Sequence, residues 1–219
     1  MEQTTFLYRN SLSIVFLSLF VVTWLAQIWT GWNQHNEDLA NAGARTILLS
    51  EYVRSGHFFS ATFENFQSEF LQMALYVVLT VGLRQQGSAE SKRLEGKEEV
   101  DREPMPSADA PWPVRRGGWI LKLYSNSLSI TFFVLFFVSW ALHFYGSWKE
   151  FNVEQALDGR EKIDMISYLS EPVFWFETFQ NWQSEFLSVA SIVIFTIYLR
   201  QKGSPESKPV DAPHSETGK

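Results

Sequence analysis

Residues Leu7–Lys92 return 116 positions later as a second version of themselves, Leu123–Lys208. The two versions align without a gap at roughly 40–45% identity, which chance does not produce. Leu7-Tyr8 recurs as Leu123-Tyr124, and Asn10-Ser11-Leu12-Ser13-Ile14 as Asn126-Ser127-Leu128-Ser129-Ile130. Trp24, Trp32 and Tyr52 fall on Trp140, Trp148 and Tyr168. Asn65-Phe66-Gln67-Ser68-Glu69-Phe70-Leu71 becomes Asn181-Trp182-Gln183-Ser184-Glu185-Phe186-Leu187. A tandem duplication limits the fold more than any composition does, because one repeat must form a unit that can stand beside its relative.

What each repeat contains is set by its apolar runs. Leu12 to Trp32 carries no formal charge, and about 20 such residues suffice to cross a hydrocarbon core of roughly 30 Å. Arg9 is a thin basic region, no small-x-small cleavage site follows, and the counterpart run from Leu123 is internal. The run therefore reads as a retained transmembrane helix and not as a signal peptide. Asn10 or Asn126, or the serine after each, suits an N-cap. The second span of the second repeat is expected to begin at Pro172 and to end before Gly203. Pro172 to Arg200 is about 29 residues, or roughly 43 Å, so two turns should stand in the interface. Those turns carry Phe174, Trp175, Phe176, Phe179 and Trp182, an aromatic belt. Phe59, Phe63, Phe66 and Phe70 make the same stripe in the first repeat.

The expected fold is an all-α membrane protein with four transmembrane helices, arranged as two tandem helical hairpins. The hairpins occupy residues 7–92 and 119–202. The charged, proline-bearing linker 93–118 and the tail 203–219 should be disordered. Thirteen of the 18 lysines and arginines lie in the termini and linker, and the rest in the loops 33–57 and 149–171. Both termini and the linker should then be cytoplasmic. Each repeat has an even number of spans, so the two insert the same way round. That relates them by a pseudo-two-fold axis along the membrane normal.

A net charge of −6 leaves no basic footprint for nucleic acid, and the absence of cysteine removes disulfides, thiolate metal sites and cysteine nucleophiles. The unusual chemistry is an acid at the same point of two apolar helices. Asn65, Ser68, Glu69 and Gln72 share one helix face, as do Asn181, Ser184, Glu185 and Ser188. The face is expected to point into the bundle, with Glu185 roughly 22 Å from Arg200 along the helix. An acid at a span centre costs about 2.5–3.5 kcal/mol, less toward the interface. One interhelical hydrogen bond returns only about 0.6–2 kcal/mol. Such a group must be protonated, bonded several times, or reached by water. Two readings stay open: polar glue between helices, or a proton or cation relay through Glu69 and Glu185.

Other signals are weaker. Trp112, Arg115, Arg116, Trp119 and Lys122 mix cations with interfacial aromatics before the third span, suiting either anionic headgroups or plain topology control. His35, His57 and His143 align with Phe151, Val173 and Gln27, and His214 with nothing. No histidine is duplicated, and no metal site or cofactor is expected. The outward loops are acidic, which would gather cations or simply be solvated. No phosphate loop, nucleophile elbow or zinc-peptidase pattern is present, so an enzyme is not expected.

Together the Asn-Ser-Leu-Ser start, the Asn-(Phe/Trp)-Gln-Ser-Glu-Phe-Leu motif and the Leu-Arg-Gln-x-Gly-Ser-x-Glu-Ser-Lys ending resemble an uncharacterised family of bacterial integral-membrane proteins, a domain of unknown function. The resemblance implies a bacterial inner-membrane location and supplies no activity. The expected role is a structural or interaction component of the envelope. The alternative is a small proton- or cation-coupled transporter or channel using Glu69 and Glu185. The lipid bilayer is the expected partner; a homo-oligomer, a membrane-protein partner and a small ion stay open.

Overall fold

The computed structural model describes residues 5–218, and Lys219, counted above with the basic residues of the tail, lies outside them. Among the described residues every regular element is helical and none is a strand. In chain order they are α1 (Phe6–Arg9), α2 (Ser11–Asn41), α3 (Leu49–Tyr52), α4 (Gly56–Gly82), a 3₁₀ turn (Glu99–Asp101), α5 (Trp112–Arg116), α6 (Gly118–Ser125), α7 (Ser127–Leu157), α8 (Met165–Tyr168) and α9 (Pro172–Tyr198). The bounds of α7, α8 and α9 are those of α2, α3 and α4 displaced by the repeat length.

Two helices, α2 and α7, are long and apolar enough to cross a membrane. Each has 31 residues, about 46 Å at 1.5 Å per residue against a core of roughly 30 Å. Their apolar stretches end near Trp32 and Trp148, so the last nine residues of each, 33–41 and 149–157, project beyond the apolar part.

The helix ends differ from expectation in two places. Asn10 makes no side-chain cap to α2; its Nδ2 donates back to Phe6 O at 2.8 Å, and Asn126 Nδ2 donates to Lys122 O in the same way. Each asparagine closes the helix before it instead of opening the one after it. The last long helix stops at Tyr198, short of Gly203. Arg200 Nη1 donates to the carbonyls of Thr196, Ile197 and Leu199, and Arg84 repeats this on Thr80, Val81 and Leu83. A guanidinium with several donors satisfies the orphan carbonyls of a last turn directly, so no glycine is needed there.

The chain forms two compact units. The loop unit is Met1–Thr62 with Leu142–Ser170. In it each loop is clasped to the helix before it. Trp32 Nε1 and Asn36 Nδ2 donate to Ile47 O, and Ile47 N donates to Asn36 Oδ1 at 2.7 Å. Trp148, Asn152 and Ile163 make the same three bonds. The start of α4 also lies against α7 with almost no space between backbones. A Cβ on Gly56 would stand 2.5 Å from Glu150 N, and one on Gly146 would stand 2.4 Å from Ser60 N. Paired small residues permit helices to approach this closely.

The tail unit is Phe63–Ala141 with Glu171–Lys219. Here α4 and α9 are joined by side chains: Trp182 Nε1 donates to Gln67 Oε1 at 2.7 Å, and Gln72 Nε2 donates to Ser188 Oγ at 2.7 Å. Segments 93–118 and 203–219, expected to be disordered, carry short helices and fixed hydrogen bonds. Gln85 N donates to Ser91 Oγ and Gln201 N to Ser207 Oγ, so the Gly-Ser-x-Glu-Ser-Lys motif makes the same turn twice. Lys208, 2% exposed, donates to the carbonyls of Pro213, His214 and Glu216. Composition argues for disorder because few apolar groups are available; these segments hold instead through hydroxyl and ammonium bonds to backbone.

Gly146→Ala should lower thermal stability in detergent, by about 1–3 kcal/mol for overpacking against backbone. Gly82→Ala, whose Cβ meets nothing within 4 Å, should leave the melting temperature unchanged or raised.

Candidate functional site

The Gly56–Gly146 approach in the loop unit brings four polar side chains together. His35 follows Trp32 by three residues on the projecting end of α2, and Glu150 follows Trp148 by two on that of α7. Tyr52 closes α3, and His57 is the second residue of α4. His35 Nδ1 lies 3.4 Å from Glu150 Oε1. The His35 and His57 rings are 4.9 Å apart between centroids, and the Tyr52 hydroxyl is 3.1 Å from His57 Nδ1. His35 and Tyr52 are buried, and Glu150 Oε2 is buried without a hydrogen-bond partner.

The second repeat shows why the first can hold this cluster. Tyr168 is the counterpart of Tyr52, and its hydroxyl pairs with Ser147 Oγ at 2.6 Å. The residue matching Ser147 is Gly31, where a Cβ would stand 2.2 Å from Tyr52 Oη. With glycine there, the Tyr52 hydroxyl turns to His57. The positions of His35 and His57 are filled in the second repeat by Phe151 and Val173, and the Phe151 ring packs 5.2 Å from that of Tyr168. One frame thus carries an apolar cluster in one repeat and a polar one in the other.

A cavity of about 300 Å³ opens beside the polar cluster, lined by Gln34, His35, Asp38, His57, Glu150 and Glu154 among others, with no lysine or arginine. Burial pushes the Glu150 carboxyl up to about 7, with Glu154 adding to the effect and the His57 backbone N–H opposing it. Burial also holds the His35 and His57 imidazoles below their ordinary value, while Asp38 acts the other way on both. Tyr52 is pushed up to about 12, by burial first and then by Glu150. Tyr52 therefore keeps its proton at neutral pH, and both imidazoles are neutral lone-pair donors.

The residues singled out from sequence are distributed differently. Ser68 is buried, and Gln72, half-buried, reaches both Glu185 O and Ser188 Oγ. Glu185 and Asn181 are half-buried, whereas Asn65, Glu69, Ser184 and Ser188 are exposed. At about 100° per residue the four positions from Asn65 to Gln72 spread over roughly a quarter turn. Ser68 sits at the edge nearest the buried Gln67, Leu71 and Ala74, and Glu69 at the far edge. The face does not point inward as a whole: it straddles the boundary. Sequence reasoning passed over Glu64 and Glu177, yet Asn181 Nδ2 donates to the Glu64 carboxylate and to Glu177 O. The one-turn spacing of Glu177 and Asn181 was the available signal. Trp112, Arg115, Arg116, Trp119 and Lys122 are all exposed on α5 and α6.

Compared with known families, residues 3–219 match a domain of unknown function, DUF6766. The chain belongs to the DUF6766 family. No curated protein and no solved structure matches it. The DUF6766 match spans both repeats, so the polar cluster and its apolar counterpart lie within one family domain. His35 and His57 were legible as unduplicated histidines; that they meet was not.

The raised Glu150 carboxyl sets a pH dependence. Its folded value, about 7, lies above the ordinary 4.5, so between these values the folded state binds more protons than the unfolded. This contribution makes stability fall as pH rises through that window. Glu150→Gln removes it. The stability of the variant relative to the parent should climb between pH 5 and 8, by up to roughly 3 kcal/mol. Parallel melting curves across that range would count against the burial of an ionisable Glu150.

Proposed function

We propose that this DUF6766 protein is a multi-pass integral membrane protein that acts as a structural or interaction component of a bacterial inner membrane. The observation that carries the reading is the surface of α2, where Phe16, Leu17 and Val22 are 64%, 63% and 64% exposed. Left in water, such a row forfeits about 25 cal/mol per Å² of apolar surface; acyl chains remove that loss. In this reading α4 and α9, each of 27 residues and about 40 Å long, are the remaining spans, giving two parallel hairpins. Both termini and the linker face the cytoplasm. Trp112, Arg115, Arg116, Trp119 and Lys122 then meet anionic headgroups.

Glu69 favours an interaction role. An exposed acid on a membrane helix is tolerated when a partner or a second copy covers it. The second reading, a proton or cation relay, draws support from the Gln72 bonds to Glu185 O and Ser188, which lock the two polar faces together. Glu69→Gln with Glu185→Gln separates the two. A structural component keeps its phenotype, whereas a relay loses ion flux in liposomes.

Placement is tested by cysteine labelling. Single cysteines at Ala40 and Ser107 should react with an impermeant maleimide from opposite sides of the membrane, and the protein should resist alkaline carbonate extraction. Labelling of both from outside would overturn the orientation, and release into the soluble fraction would overturn the membrane reading.

A further inference from the structure

The loop-unit cavity holds more donor chemistry than a solvated surface requires. His35 and Asp38 stand three residues apart on α2, and Glu150 and Glu154 stand four apart on α7, spacings that put each pair on one helix face. Facing helices that each present such a pair are the usual frame of a helical metal site. His35 Nδ1 and Glu150 Oε1 are 3.4 Å apart. Two ligands of one tetrahedral ion, bound at about 2.0–2.1 Å, are separated by roughly that distance. The His35 side chain is 8% exposed. Glu150 keeps a second, buried oxygen that no group satisfies. His57 shares the cavity, and the Tyr52 hydroxyl at its Nδ1 leaves Nε2 to act as a ligand. No cation lines the cavity to neutralise its three carboxylates.

We propose that His35, His57 and Glu150, with Asp38 and Glu154 beside them, bind a transition-metal dication of the zinc class. Imidazole donors select such ions over magnesium or calcium, which take oxygen ligands. The site is particular to one side of the duplication. Gln34 matches Glu150, Phe151 matches His35, and Val173 matches His57. The inference does not depend on the transport or structural reading of the tail unit.

The duplication also supplies the variants that test it. His35→Phe with His57→Val, and separately Glu150→Gln, install residues that the other repeat already accommodates. The tag-free full chain, purified in detergent, is titrated with zinc chloride, desalted, and assayed for bound metal by elemental analysis. The wild type should retain one equivalent, and each variant should bind at least tenfold more weakly. His214→Ala, which removes a histidine outside the cavity, should bind as the wild type does. Size exclusion and circular dichroism report whether each variant is folded. X-ray absorption of the zinc-loaded wild type should show imidazole scattering, and this result does not rely on any variant folding. Zinc retention that is absent in the wild type, equal in the His35/His57 variant, lost with His214→Ala, or free of imidazole scattering overturns the proposal.

Discussion

A chain leaving a long apolar helix must satisfy its own N–H and C=O groups before it can turn, and in this protein one asparagine in each repeat does so. Asn36 brackets Ile47 and Asn152 brackets Ile163, each amide donating to the isoleucine carbonyl while its oxygen accepts the isoleucine N–H. A tryptophan one turn earlier adds a second donor to the same carbonyl. These bonds fold the loop back along the helix end and set down Tyr52 or Tyr168 beside it. Without them an unpaired buried amide would cost about 1–3 kcal/mol, and the short helices α3 and α8 would have no fixed origin.

The clasp makes the frame repeat; it does not make the contents repeat. Tyr52 and Tyr168 are both almost wholly buried, yet one hydroxyl meets a histidine and the other a serine. A single hydroxymethyl group, present at Ser147 and missing at Gly31, decides which. Around that difference the first repeat gathers His35 and His57, while the second packs Phe151 and Val173. Close passage of α4 over α7 at Gly56 and Gly146 then carries Glu150, a residue of the second repeat, into the polar cluster of the first. The DUF6766 domain has thus used duplication to hold a scaffold constant while one corner of it changed chemistry.

Much of this was legible before any coordinates. The repeat length predicted that matching helices would share their bounds, and α2 and α7 do. Asn65 to Gln72 were correctly read as a polar strip on one helix. Its outcome was mixed because spacing fixes only relative angles: a strip a quarter turn wide can lie across the edge of a packed face, and Glu69 fell outside while Ser68 fell inside. The linker and tail were misjudged for a different reason. Their polarity removes the hydrophobic incentive to order, but Arg200 and Lys208 carry donors enough to bind several carbonyls at once, a compensation that average composition does not register.

From sequence alone come the duplication, the helical character, the two membrane-length apolar helices and membership of the DUF6766 family, because periodicity and apolar length are local properties. The meeting of His35 with His57 and Glu150 needed the tertiary structure. Those residues lie in two different repeats and on three helices, and no spacing rule links them. Their proximity follows from glycines that let backbones touch and from loops that fold back on their own helices, which are matters of how surfaces fit and not of the order of residues.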